Sequence, residues 1–253
     1  MCKYVFNKER GDLLLELNKI HLGDCHKLIK QIPDKSIDLV YIDIPYLYSS
    51  NFGERLVNSN KIKENDIKNI SNGIDYSIFE ELCRVMKNIY IYIWCSEEQI
   101  IELMNLFVNE KKCDYKILGW CKTNPMPMYS YRFMNDVEYC LLFKDKKAKM
   151  SGNDTFENSF RFYKAPININ DKKTYRHPTI KPLQCVKNHI EKSTKEQDII
   201  LDCYCGSGTT CVAAKELKRQ FIGIEIDKEY WKIANDRIKG IDASGQTSIF
   251  TFL

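Results

Sequence analysis

The sequence predicts an α/β fold in which a mainly parallel sheet is covered by helices on both faces. Two observations carry that prediction. Strand and helix signals alternate along most of the chain, and only one pair of successive strand candidates, Tyr115 to Trp120 and Val137 to Phe143, is joined by a loop without a helix. With 253 residues and 44% hydrophobic content, the chain can bury one large core, so one domain over 1–253 is the simplest organisation.

Ile20 to Leu22 reads as a short strand, and Gly23-Asp24 turns the chain into a helix reaching about Ile32. The run from Ile37 to Ile42 is apolar enough for a buried strand ending at Asp43. Residues 49–73, rich in Asn, Lys and Ser, read as a long mobile loop. Phe79, Leu82, Cys83 and Met86 keep the i, i+3, i+4, i+7 spacing of an amphipathic helix. The strand Ile89 to Trp94 follows, and Ser96 with Gln99 forms a capping-box pair ahead of a helix bearing Ile100, Leu103, Met104 and Phe107. Tyr115 to Trp120 and Val137 to Phe143 are joined by a loop containing Pro and Met. It is too short for a crossover helix, so these two strands pair antiparallel.

From Lys144 to Lys181 periodicity lapses, and ten Lys or Arg stand against four Asp or Glu. Phe160, Arg161, Phe162 and Tyr163 place aromatic rings beside a cation, a mixture suited to phosphates and exposed bases. A solvated insertion accounts for the same composition. Pro182 then opens a helix whose apolar face carries Cys185, Val186, His189 and Ile190. Ile199 to Asp202 is a buried strand, Cys205 to Gly208 a tight turn, Thr209 to Leu217 a helix and Phe221 to Glu225 another strand. A last helix puts Tyr230, Ile233, Ala234 and Ile238 on one face.

Composition narrows the function classes. A net charge of +4 and a pI near 8.4 permit a polyanionic partner without requiring one. The eleven cysteines include no CxxC pair and no His–Cys spacing of a zinc site, so they read as reduced thiols and no metal is expected. No signal peptide and no apolar run near the ~20 residues of a membrane span is visible, which points to a soluble, cytoplasmic protein.

The turn at Gly206 and Gly208 needs small residues because positive φ and close backbone approach are required there, and the helix beyond offers unpaired N–H groups. Such a corner suits a carboxylate or phosphate. Glu225, 17 residues after Gly208, ends the second strand, where an acid accepts both ribose hydroxyls of a nucleoside cofactor. Cys211 stands where a dinucleotide fingerprint wants glycine, and no Lys-Ser or Lys-Thr pair follows the turn. Adenosine without a pyrophosphate fits better.

The second constellation is Asp43-Ile44-Pro45-Tyr46, at a strand end that should face the same cleft as the glycine turn. The lone pair of an aromatic amine is delocalised into its ring. Acceptors on both amino protons, Asp43 and a backbone carbonyl near Ile44, pull that nitrogen towards tetrahedral geometry, and Tyr46 stacks on the base. An acidic strand end followed by a proline turn is also common for purely structural reasons.

With these pieces in view, the chain resembles the beta group of amino-methylating DNA methyltransferases. The resemblance is carried by Gly23-Asp24-Cys25, SIDLVYIDIPY (36–46), WCKTNP (120–125), HPTIKP (177–182) and LDCYCGSGTTCVAAKELKRQFIGIEIDKEY (201–230), in that circularly permuted order. It implies a Rossmann-like sheet of seven mainly parallel strands with one antiparallel strand, and S-adenosylmethionine as cofactor. It further implies that Asp43, Pro45 and Tyr46 serve the flipped base. Asp202, Gly206, Gly208 and Thr209 would line the methionine end of the cofactor, with Lys181 nearby. Glu225 would bind the ribose and Asp24 the adenine, although Asp24 equally suits a helix N-cap. Ile44 departs from the family pattern of two prolines, keeping the carbonyl but not the locked φ. Tyr204 takes the place of the usual aromatic before Gly206.

Base extrusion needs backbone contacts to offset its cost. The insert 144–176, with Arg161, Lys172, Lys173 and Arg176, is expected to recognise DNA, aided by the loop 49–73. Adenine N6 is the expected target, because the tetrapeptide is headed by Asp. Cytosine N4 or RNA methylation, and a nonenzymatic DNA-binding relative, are the alternatives. Homodimerisation is common in such a family, and a cognate restriction endonuclease is a further expected partner.

Overall fold

The computed structural model describes residues 15–47, 73–125, 127, 133–167, 169–175, 179–242 and 244–246. Eight strands form one sheet in the order β1 (Lys19–Leu22), β8 (Gln220–Glu225), β7 (Ile199–Asp202), β2 (Leu39–Asp43), β3 (Tyr90–Cys95), β5 (Val137–Lys144), β4 (Asp114–Lys122) and β6 (Phe162–Ala165). Every neighbouring pair is parallel except those made by β5, which runs antiparallel to both β3 and β4. The fold class and the antiparallel pair are as the sequence predicts, but the strand count among the described residues is eight, not seven. The extra strand, β6, lies in the basic insert read as aperiodic. It is four residues long with no buried side chain, so it lacks the apolar signal by which strands are recognised. Its pairing with β4, Gly119 opposite Phe162, depends on a missing side chain. A Cβ on Gly119 would lie 2.7 Å from the Glu138 carbonyl and 3.2 Å from the Phe162 ring.

Seven α-helices are described: α1 (Cys25–Leu28), α2 (Ile78–Val85), α3 (Glu97–Met104), α4 (Ile169–Tyr175), α5 (Leu183–Ser193), α6 (Thr209–Glu216) and α7 (Lys228–Ile238). α1 continues as a 3-10 turn and α3 as a π-helical turn, which brings Ile29 and Phe107 into the core. Strand alternation sorts the interior into two faces. Val40, Ile42, Ile91 and Ile93 meet Phe79 and Leu82 of α2 on one side. Leu39, Tyr41, Tyr92 and Trp94 meet Val186 of α5 and Ala213 of α6 on the other. Adjacent strands β7 and β2 therefore send their crossover helices to opposite faces. That leaves a crevice beyond their carboxyl ends, the position where open α/β sheets bind ligands.

Of the 49–73 loop only Gly73 falls among the described residues, and Arg176 and His177 also lie outside them.

Candidate active site

β2 and β7 pair in parallel, Leu39 with Ile200 and Val40 with Leu201, so Asp202 ends β7 level with Tyr41 and Asp43 stands two residues further along β2, near enough for its charge to bear on Asp202. A cavity of about 220 Å³ is lined by Asp43, Ile44, Pro45 and Tyr46 together with Asp202, Tyr204, Gly206, Thr209 and Glu225. The two constellations singled out in the sequence, far apart in the chain, share one crevice. A second cavity, lined by Asp24, Cys25, Ile74 and Cys203, shares Pro45, Tyr204, Glu225 and Ile226 with the first.

The glycine side is held by backbone. Gly206 and Gly208 have φ of +48° and +77°, the left-handed region expected of them. Gly208 has a second reason to be glycine that concerns packing, since an added Cβ would sit 2.9 Å from the Ala234 Cβ of α7. Buried Glu225 accepts hydrogen bonds from Gly206 N at 2.7 Å and Asp227 N at 2.8 Å, one on each carboxylate oxygen. Burial raises its pKa, and those amides work against the rise. Asp202 is buried at the end of β7 and accepts from Tyr204 N at 3.1 Å. Burial pushes its pKa up to about 7, opposed by the Thr210 hydroxyl and the Tyr204 amide. Beneath the turn, buried Arg237 donates to Thr209 Oγ1 at 2.7 Å and Ser207 Oγ at 3.1 Å.

The tetrapeptide side is held by side chains. Lys181 Nζ donates to Asp43 Oδ2 at 2.6 Å and Tyr46 Oη at 3.1 Å, and pairs with Glu138 Oε2 at 3.1 Å. Glu138 Oε1 pairs in turn with Lys122 Nζ at 2.9 Å. Burial works against the Lys181 charge, but Asp43 and Glu138 outweigh it and raise its pKa. Asp43 shifts upward because burial dominates over the attraction of Lys181. Its other oxygen, Oδ1, is buried and has no hydrogen-bond partner among the described residues. An acceptor left bare in a protein interior costs about 1–3 kcal/mol, so its persistence calls for a functional account.

The departure at Ile44 has a structural answer. Its amide donates to Trp94 O at 3.2 Å, a bond proline cannot make, and its side chain is buried in the α2-side core. Ladder and core thus fix the residue where a proline ring would have. The Pro45 carbonyl is engaged by Gln99 Nε2 at 3.0 Å and the Leu47 carbonyl by Ser96 Oγ at 3.0 Å. The capping box at the start of α3, formed as expected with Ser96 N donating to Gln99 Oε1 at 3.0 Å, therefore also clamps the tetrapeptide.

Several expected residues have placements the sequence leaves open. Asp24 caps α1 by accepting from His26 N at 2.9 Å and also lines the second cavity. Lys181, expected beside the methionine end of a cofactor, spends its charge on Asp43 and Glu138. Trp120 is a core residue whose Nε1 donates to Ala165 O at 2.9 Å. In the insert, Arg161 and Lys173 are exposed, whereas Lys172 is half-buried. Burial lowers the Lys172 pKa, and Glu138, Lys122 and Lys181 are near enough to bear on it. Lys172 thus lies near the Lys122, Glu138 and Lys181 charges.

Sequence reasoning missed Glu138, which reads there as one more residue of a strand, and missed the supports of Trp94. Trp94 Nε1 donates to Tyr41 Oη at 3.0 Å, and Tyr41 Oη lies 3.0 Å from His189 Nδ1. Burial lowers the His189 pKa to about 4, so the ring is neutral. No sequence signal pairs residues 148 positions apart.

A family model described as DNA methylase matches residues 37–236. The chain is 32% identical to the Type II methyltransferase M2.LlaDCHI of Lactococcus lactis subsp. cremoris, over 94% of this chain and 93% of that protein. It is 30% identical to the Type II methyltransferase M2.DpnII of Streptococcus pneumoniae, with the same coverage of 94% and 93%. Among solved structures, a complex of M1.HpyAVI with SAM is similar with a TM-score of 0.65 and 29% identity, over 87% of this chain and 98% of that one.

Proposed function

The chain belongs to the DNA methylase family, the S-adenosylmethionine-dependent enzymes that methylate amino groups of DNA bases, and from that premise we propose that its target is N6 of an adenine turned out of the duplex into the Asp43 side of the crevice. The observation that carries this reading is the bare, buried Asp43 Oδ1 in the cavity it shares with the glycine turn. An unpaired buried acceptor suits an amino proton, and the Asp-headed tetrapeptide resembles the adenine N6 subgroup.

The residues present fit the cofactor. Glu225, oriented through both oxygens by backbone amides, suits a vicinal diol. Buried Asp202 suits an ammonium, and the first turn of α6 beyond Gly208 suits a carboxylate. Asp24, Tyr204 and Ile226 border the second cavity, where an adenine would sit. Bound S-adenosylmethionine supplies an electrophilic methyl group on a sulfonium.

The chain's own residues do the rest. Asp43 Oδ1 accepts one amino proton. With the Pro45 carbonyl engaged by Gln99, the Ile44 carbonyl is the acceptor for the other. Together they draw the nitrogen lone pair out of the ring, and the Tyr46 ring holds the base by stacking. Orientation in a closed crevice then accounts for much of the acceleration. The methylated nitrogen carries one proton too many, and Asp43 Oδ1 is the acceptor placed to receive it. Arg161, Lys172, Lys173 and Arg176 of the 144–176 insert, and the 49–73 loop, complete the reading as contacts to the DNA backbone. The Type II names of the relatives support a companion restriction endonuclease, and homodimerisation in the cytoplasm completes the picture.

The test is to incubate the chain with methyl-labelled S-adenosylmethionine and unmodified genomic DNA, digest the DNA and identify the labelled nucleoside. N6-methyladenine is expected, with the rate lowered on the order of 10²–10³-fold by Asp43→Ala and cofactor affinity retained. Label in N4-methylcytosine would move the target to cytosine, and unlabelled DNA would overturn the reading.

A further inference from the structure

We propose that Glu138 is a positioning residue for methyl transfer: by engaging one ammonium hydrogen of Lys181, it keeps the free oxygen of Asp43 open to the amino group of the target base. This inference rests on the reading of Asp43 as the amino acceptor.

A lysine ammonium has three N–H donors and no acceptor. Lys181 Nζ has three acceptors around it, Asp43 Oδ2 at 2.6 Å, Tyr46 Oη at 3.1 Å and Glu138 Oε2 at 3.1 Å. Its capacity is filled. The twin oxygen of the same Asp43 carboxylate is buried and, among the described residues, bare. Any N–H released from Glu138 would have Asp43 Oδ1 as a nearby unsatisfied acceptor, and the cost of leaving that oxygen unpaired would draw the ammonium towards it. A lysine bound to both oxygens would occupy the place of the amino proton.

Glu138 is built to stay where it is. It stands on β5 opposite Trp120 of β4, so the ladder of the antiparallel strand fixes its backbone. Lys122 holds its other oxygen at 2.9 Å. The alternation Lys122, Glu138, Lys181, Asp43 crosses from β4 to β5, to the segment before α5, and to β2, and its charges balance. Although burial favours protonation, Lys181 and Lys122 hold the Glu138 pKa down to about 2, so the residue is ionised throughout the working range.

Two variants separate positioning from mere support of the fold. Glu138→Ala removes the acceptor. Glu138→Gln removes the charge but keeps an oxygen to accept from Lys181 and is nearly the same size. Steady-state methylation of a DNA substrate should show kcat of Glu138→Ala lowered about 10–100-fold, with KM for S-adenosylmethionine within about threefold of the unaltered enzyme. Glu138→Gln should recover most of the lost kcat. The proposal is overturned if both variants keep the kcat of the unaltered enzyme. It is equally overturned if the Gln variant, folded by its circular dichroism and melting temperature, is as slow as the Ala variant, or if kcat and KM deteriorate together. The unaltered enzyme in the same assay isolates the two ideas: if it labels no DNA, the proposed function fails, whereas labelling with an indifferent Glu138 sinks only this inference.

Discussion

The two walls of the crevice are held in different ways. On the glycine side, Gly206, Gly208, Glu225 and Asp202 lie within 24 residues of one strand–turn–helix–strand unit, and the contacts that set them are largely backbone amides. On the tetrapeptide side, Lys181 holds Asp43, Glu138 holds Lys181 and Gln99 holds the Pro45 carbonyl, side chains drawn from three distant parts of the chain. A pocket for an invariant ligand can be cast in backbone. A carboxylate that must present one bare oxygen needs a partner for the other, and only long side chains can reach it.

That contrast can be broken from the glycine side first. Gly208→Ala should be the most damaging small substitution there, because it puts a side chain at a φ of +77° and a methyl 2.9 Å from Ala234. A loss of about 2–4 kcal/mol in unfolding free energy is expected from strain plus overpacking, read from the urea midpoint, with cofactor affinity falling alongside. A variant as stable as the parent would show that backbone shape is not what holds this wall.

A subtler probe uses pH. Asp202 is raised from 3.8 to about 7, so between those values the folded chain holds a proton that the unfolded chain releases. Its contribution to stability is full below the unfolded value and is lost as pH rises through about 7. Binding of a cationic amine runs the other way, because it requires the carboxylate. Cofactor affinity, measured by calorimetry, should therefore weaken by up to about tenfold per unit as pH drops below 7, and Asp202→Asn should flatten that dependence at lower affinity. Neighbouring Glu225 and Asp43 also carry raised pKa values, so the flattening by Asp202→Asn is the diagnostic result.

The same contrast explains what could be read from the sequence. β2, β3, β5, β7 and β8 announce themselves as apolar runs because they are buried on both faces, and the glycine turn is legible because its requirements are local. β6 is missed because an edge strand of four residues has no buried face to encode. Glu138 is missed because its meaning depends on Lys181, 43 positions onward, and the second use of Gln99 because it depends on Pro45, 54 positions back. Lys172 shows the limit of composition: one lysine among many in a basic insert, it is half-buried near the Lys122, Glu138 and Lys181 charges while Lys173 beside it faces solvent.

The central claim is that the cofactor corner and the Asp43 loop work on one shared space, and a crystal structure of the chain with S-adenosylmethionine tests it most directly. The account predicts the ribose at Glu225, the amino-acid end at Asp202 and the first turn of α6, and the sulfonium methyl directed towards Asp43 Oδ1 and the Ile44 carbonyl. A cofactor bound with its methyl turned away from Asp43 would contradict it.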